Sequence, residues 1–145
     1  MLDLNRYGLV YDQCFEKKRD AMNLQELFRD WVDIVEFPKK TVIFSERDPA
    51  DFMYVVMKGD VELTLLGEPL GMESPGGMIG EMAMIQSMGN RSATATTLTK
   101  VELARLNRDQ FKELVAENVD FALHIMTVLA NRLIVANTFI TRQLS

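Results

Sequence analysis

The chain has one cysteine, Cys14, and one histidine, His124. A lone thiol excludes an intramolecular disulfide and suits a reducing compartment. With no activating partner near it in sequence, Cys14 reads as a small apolar residue. A single imidazole cannot build the clustered ligand set of a metal centre, and no nucleophile–base pair is evident. The expectation is therefore no catalytic residue, no metal and no enzyme. A basic excess is also missing: 16 Lys and Arg stand against 21 Asp and Glu, for a formal charge of −5. That balance argues against direct nucleic-acid binding. The one basic cluster, Glu16-Lys17-Lys18-Arg19-Asp20, is flanked by acids and reads as a solvated helix face.

Long apolar runs are scarce as well. Asp3, Asn5, Arg6 and Asp12 break up the N-terminus, so no secretory signal is read there. The longest apolar stretch, residues 121–140, carries His124, Asn131, Arg132 and Asn137. That polar load argues against a membrane span, and a cytoplasmic protein is expected. Internal repeats, low-complexity tracts and flexible linkers are lacking too. The 145 residues are expected to form one domain, long enough to bury a core.

What is present changes period along the chain. Residues 1–31 read as an N-terminal helical segment. Tyr7, Val10, Tyr11, Cys14 and Phe15 repeat at helical spacing, and so do Leu24, Leu27, Phe28 and Trp31, with Asn23 and Glu26 as a capping box. Residues 32–107 read as short strands at regular turn spacing, the pattern of an antiparallel jelly-roll or barrel. Within them Gly59-Asp60 is a hairpin signal, while Gly67-Glu68-Pro69 and Ser74-Pro75-Gly76-Gly77 mark turns. Residues 108–145 return to helix, opened by a capping box of Asn107 and Gln110. The expected class is α+β: a β jelly-roll with N-terminal helices and a long C-terminal helix.

Residues 80–92 carry the chemistry. Gly80 and Glu81 open a short apolar turn, and Arg91-Ser92 follow ten residues after Glu81. A helix starting at Gly80 would present unpaired N–H groups and its positive dipole end to an anion. Arg91 adds a permanently charged planar fork that matches a phosphate. Glu81 cannot hold a phosphate, but as an acceptor it can take the proton of a sugar hydroxyl. Phosphate donors beside a hydroxyl acceptor describe a nucleotide pocket.

Gly80-Glu81-Met82-Ala83, a short linker and Arg91-Ser92-Ala93 resemble the phosphate-binding cassette of cyclic nucleotide-binding domains of the catabolite activator type. The resemblance covers residues 37–140 and includes the runs 51–59 and 130–133. It implies that Gly80 admits close backbone approach, that Glu81 contacts ribose, and that Arg91 and Ser92 reach the phosphate. Met82, Ala83 and Ile85 read as apolar backing, with the backbone N–H of Met82 or Ala83 expected to point at the anion. Arg132 would pair with Glu81. The family's base-reading pair falls on Ala136 and Asn137, and of these only Asn137 has a side chain able to hydrogen-bond. Asn90 stands where many members have proline. The implied ligand is a cyclic nucleotide, cyclic AMP before cyclic GMP, with no other cofactor.

Two stripes run down the last helix. Ala122, Met126, Leu129, Leu133, Ala136 and Ile140 form a heptad seam, and Phe121, Ile125, Val128, Arg132, Val135 and Phe139 follow one residue behind. One stripe suffices to cover a barrel, so the second is expected to meet another copy, as the family dimerises along this helix. The alternative is one broad face buried within the monomer. The functional expectation is a regulatory module that binds a cyclic nucleotide and signals through a homodimer to an unknown protein effector. Two alternatives stay open: a dimeric interaction module with a degenerate pocket, and the effector-domain fragment of a transcription regulator. The chain ends at Ser145, where a helix-turn-helix domain would begin, so by itself it is not expected to bind DNA.

Overall fold

The computed structural model describes residues 22–85 and 89–144. The helical pattern of residues 7–15, Cys14 and the charged run 16–20 lie outside the described residues. Among the described residues, eight strands pair antiparallel in two four-stranded sheets. One sheet has the order β1 (Ile34–Phe37), β8 (Val101–Asn107), β3 (Phe52–Lys58) and β6 (Met78–Ile79). The other has the order β2 (Val42–Phe44), β7 (Thr94–Thr97), β4 (Val61–Leu65) and β5 (Glu68–Glu73). Among the described residues four helices complete the α+β fold: α1 (Leu24–Leu27), α2 (Met82–Ile85), α3 (Arg108–Glu117) and α4 (Val119–Leu144).

The middle of the first sheet, β3 and β8, is buried on both faces, and β3 shows why. Tyr54 and Val56 of β3 point inward to meet Val61, Leu63, Ala95, Val101 and Leu103, the core between the sheets. Met53 and Val55, on the other face of β3, join Leu24, Phe28, Phe111, Phe121 and Ile125 under the helices. A strand covered on both sides reads as a continuous apolar run, here Phe52 to Met57. Phe121 anchors the helical layer, its ring edge-on to Phe28 and Phe111 at centroid distances of 6.3 and 6.1 Å. Truncating such a ring to alanine costs about 3–5 kcal/mol.

Three expectations are corrected. Gly59-Asp60 does not join a hairpin, because β3 and β4 belong to different sheets. Gly59, at φ 86°, hands the chain across the sandwich, and a Cβ there would strike the carbonyl of Lys100. The hairpin forms one strand later, between β4 and β5, through Leu66 and Gly67 at φ 53° and 78°. Two positive φ values mark a type I′ turn, so Glu68 and Pro69 are strand rather than turn. Pro69 is tolerated there because β5 is an edge strand. Finally, α1 stops at Leu27, short of the pattern that runs to Trp31. Asn23 accepts from the Glu26 N–H, and the Trp31 indole donates instead to the carbonyl of Arg105 at 2.8 Å.

The Asn107 capping box forms in both directions at the start of α3, and α4 runs for 26 residues. Leucine at φ 53° in a two-residue hairpin turn is strained where asparagine is favoured. Leu66→Asn is therefore expected to stabilise the fold by about 1 kcal/mol, read as a raised urea midpoint at unchanged m-value. An unchanged or lower midpoint refutes the turn assignment.

Candidate functional site

The cassette begins where β6 ends. Gly80, at φ 77°, turns the chain into Glu81, whose carbonyl accepts from the Met84 N–H at 3.1 Å to open α2. The expected helix therefore starts at Met82 rather than at Gly80. The N–H groups of Met82 and Ala83 belong to its first turn, where no helical carbonyl can take them. Gly80 has a second reason to lack a side chain, since a Cβ would run into Nη1 of Arg91. Arg108, at the start of α3, donates to the carbonyl of Ala83 at 2.8 Å and steadies the far end of this turn.

Arg91 reaches the same place from the opposite side. Its N–H donates to Asp48 and its carbonyl accepts from Arg47, while Ala50 donates to Gly89. Pro49 and Asn90 form an isolated antiparallel bridge, so the segment before β7 is tied down although Asn90 replaces the family's proline. Arg91 is only 6% exposed, and its guanidinium packs on aromatic rings. It lies over the Phe44 ring at 4.0 Å and 5.9 Å from the Tyr54 ring, cation–π contacts of useful strength when desolvated. Nη1 donates to the Gly80 carbonyl across a long 3.5 Å, and Nε is buried without a hydrogen-bond partner. Burial lowers the pKa of Arg91, against the raising pull of Tyr54, Asp51, Asp48 and Glu81. An arginine stays charged regardless, so a cation sits here short of acceptors.

Glu81, 2% exposed, is the negative pole of the site. The expected pair is present: Arg132 Nε donates to Glu81 Oε1 at 2.8 Å, across 51 residues of sequence. Arg132 does more than expected. Nη1 donates to Glu73 Oε1 at 2.9 Å, and Nη2 to the Met78 carbonyl at 2.7 Å. Burial lowers the pKa of Arg132, but the two carboxylates outweigh it and the net shift is upward. Ser92 is exposed, with its hydroxyl 3.5 Å from the Met82 sulfur. Gly80, Glu81, Met82, Ala83, Arg91, Ser92 and Arg132 thus gather around one short turn. Asn137 stands exposed on α4, five residues beyond Arg132, and is not drawn into this cluster.

Sequence reading missed Glu73, Phe44 and Tyr54. Each reaches the site through a partner distant in sequence, Glu73 through Arg132 of α4 and Phe44 and Tyr54 through Arg91, so nothing local to their segments marks them. Among the described residues, no group of three or more His, Cys, Asp or Glu is placed to hold a metal ion.

The model of the cyclic nucleotide-binding domain matches residues 34–118. The chain belongs to the cyclic nucleotide-binding domain family. The CRP-like cAMP-activated global transcriptional regulator of Mycobacterium tuberculosis is 30% identical over 105 residues, 68% of this chain and 46% of that protein. The chain thus spans about half the length of that curated relative. The catabolite activator protein of Thermus thermophilus superposes with a TM-score of 0.69 at 26% identity, covering 87% of this chain and 62% of that one. The cAMP-bound form of the EAL enzyme Bd1971 superposes at 0.56 with 35% identity, over 75% of this chain and 30% of that one. In this cyclic nucleotide-binding domain the family match ends before α4, and Arg132 lies beyond it.

Glu73 gives the domain a pH signature. Burial pushes its carboxyl above the usual glutamate range, with Glu81 adding to the shift and Arg132 opposing it. A raised folded pKa contributes stability that is present below the unfolded value and lost as pH rises through the folded value. Glu73→Gln has no such proton to lose. Its stability relative to the parent is expected to rise as pH climbs through and above the ordinary glutamate range, compared by urea midpoints. A constant or falling difference would contradict the burial account.

Proposed function

We propose that this domain is a regulatory module that binds a cyclic nucleotide, cyclic AMP in preference to cyclic GMP, and signals through a dimer formed along α4. The observation that carries the reading is Arg91: a buried arginine with Nε unpartnered, whose Nη1 reaches the carbonyl of Gly80, the residue before a carboxylate that a second arginine already holds. A buried cation short of acceptors calls for an anion. The cyclic phosphate would take Arg91, the Ser92 hydroxyl and the Met82 and Ala83 N–H groups. The neighbouring 2′-hydroxyl would donate to Glu81. Gly80 lets the backbone and Arg91 approach. The ligand is bound and not transformed, and no cofactor takes part. The choice of cyclic AMP follows the cAMP-activated regulator and the cAMP-bound enzyme structure to which the chain is similar.

The dimer reading is supported by the division of α4 into two faces. Phe121 and Ile125 are buried against the barrel, while Met126, Leu133 and Ile140 are 64%, 63% and 53% exposed. The alternative of one broad face buried within the monomer does not fit that exposure. By length and composition α4 is apolar enough to cross a membrane. A spanning helix, however, is apolar all round, whereas Arg132 of α4 is held by Glu73 and Glu81 of the sandwich. A second copy is the better partner for the stripe, and a cytoplasmic location goes with this reading. In a dimer Asn137 would sit beside the seam, where the base of the ligand could meet it. The effector is a protein or a further segment of a longer regulator; direct nucleic-acid contact by these residues is not part of the proposal. The competing reading, an interaction module with a relic pocket, is favoured by Ala136, which offers no side-chain hydrogen bond to a base.

Three measurements decide. A ligand at a hundredfold its Kd should stabilise the fold by about 2.7 kcal/mol, so a thermal shift with cyclic AMP larger than with cyclic GMP is expected. No shift with either, or with cyclic dinucleotides, leaves only the interaction module. Arg91→Ala should weaken binding by at least about 2 kcal/mol, roughly thirtyfold, by calorimetry; unchanged binding removes Arg91 from the site. Leu133→Glu is expected to turn a sedimenting dimer into monomer, and a parent protein that sediments as monomer defeats the dimer.

A further inference from the structure

The guanidinium of Arg132 divides its donors among three acceptors from three parts of the sandwich. Nε goes to Glu81 of the cassette, Nη1 to Glu73 at the end of β5, and Nη2 to the Met78 carbonyl of β6. Left to itself, an arginine facing one carboxylate closes a bidentate fork with both oxygens. Here the fork is split, and Arg132 engages Glu81 through Oε1.

Glu73 is the group that does not belong to the expected pair. Its side chain is 25% exposed, and it shares one cation with a second carboxylate, which repels it. Burial raises the pKa of its carboxyl, so holding it ionised costs the fold something. Gly77 leaves room for it, because a Cβ there would press on Glu73 Oε2, the movable end of that side chain. A carboxylate given room by a glycine, at some cost in stability, is there for what it orients.

We propose that Glu73 is a positioning residue: by taking Nη1 of Arg132 it holds the guanidinium in the orientation that engages Glu81 through one oxygen, which fixes α4 against the cassette before ligand arrives and reserves the other Glu81 oxygen for the ligand's sugar hydroxyl. The last clause rests on the nucleotide reading above; the first does not. Without Glu73, Arg132 turns onto Glu81 as a fork and occupies both oxygens. The link from pocket to helix then loosens at β5 and competes with the sugar.

The experiment is hydrogen exchange on the ligand-free protein, paired with calorimetry against cyclic AMP. Glu73→Ala removes the acceptor, and Gly77→Ala displaces it without touching its charge. Both are expected to raise exchange several-fold in α4 around Arg132 and in the cassette, with the two sheets unchanged. Glu73→Gln keeps an oxygen for Nη1 and should restore the parent pattern. Cyclic AMP should bind the two alanine variants about tenfold more weakly, the loss expected of one hydrogen bond to a charged group, and the glutamine variant nearly as tightly as the parent. Unchanged exchange in α4 for both alanine variants overturns the proposal. So does a uniform rise across both sheets, which would make Glu73 an ordinary fold contact. If the parent itself binds no cyclic nucleotide, the proposed function fails, and the exchange data still decide whether Glu73 holds the helix.

Discussion

One guanidinium joins the two parts of this domain. Arg132 stands on α4 and reaches into the sandwich for Glu81, Glu73 and the carbonyl of Met78. Taking an arginine out of water is expensive, and two carboxylates plus a backbone oxygen offset that cost only if all are held in place. The helix, the cassette and the last turn of β5 therefore cannot be positioned separately. Moving α4 along its axis would strip donors from Glu81, and turning the cassette would strip an acceptor from α4. In the function proposed here, this reciprocity couples a small ligand to a helix, since a ligand that changes the charge around Glu81 changes what holds Arg132.

The sandwich makes this possible by being stiff where the cassette hangs. β3 is buried on both faces, with Tyr54 and Val56 in the inter-sheet core and Met53 and Val55 under the helices. Its neighbour β6 is only two residues long and leads directly into Gly80 and Glu81. A short strand pinned to a doubly buried one gives the turn after it little freedom. Arg91 arrives across the other sheet, flattened on Phe44. The positive and negative poles of the site are thus carried by different sheets, with Gly80 as the one residue small enough to let both come close.

How much of this the sequence discloses depends on the range of the interaction. The Asn107–Gln110 capping box, the apolar stripe of α4 and the Gly80-Glu81 and Arg91-Ser92 spacing are local patterns, and they read correctly as capping, helix and a common turn. Pairing Arg132 with Glu81 needed the family resemblance, because nothing local links residues so far apart. The Gly59-Asp60 turn misled because a tight turn says nothing about whether the next strand pairs with its predecessor or crosses to another sheet. The true hairpin at Leu66-Gly67 was hidden by a leucine at positive φ, which turn chemistry disfavours. Glu73 was invisible for a different reason: its value lies in a glycine four residues on and an arginine on the last helix, and neither says so in sequence.

Several features of the domain are unfinished when it stands alone, and they lie close together. Arg91 is a buried cation with an unpartnered Nε. Glu73 and Glu81 share one cation between two negative charges. The outer stripe of α4 leaves Met126, Leu133 and Ile140 in water. A sequence selected for stability alone would remove all three, with an apolar residue for the arginine, one carboxylate fewer and a polar helix face. Unsatisfied groups set on one side of two well-buried cores fit a state in which the same groups are satisfied. Under the proposed function an anion between Arg91 and the cassette would answer the first, a sugar hydroxyl on Glu81 would ease the second, and a second copy along α4 would cover the third. In the function proposed here, Arg132 ties the second to the third, so occupying the site and completing the helix interface would be coupled events.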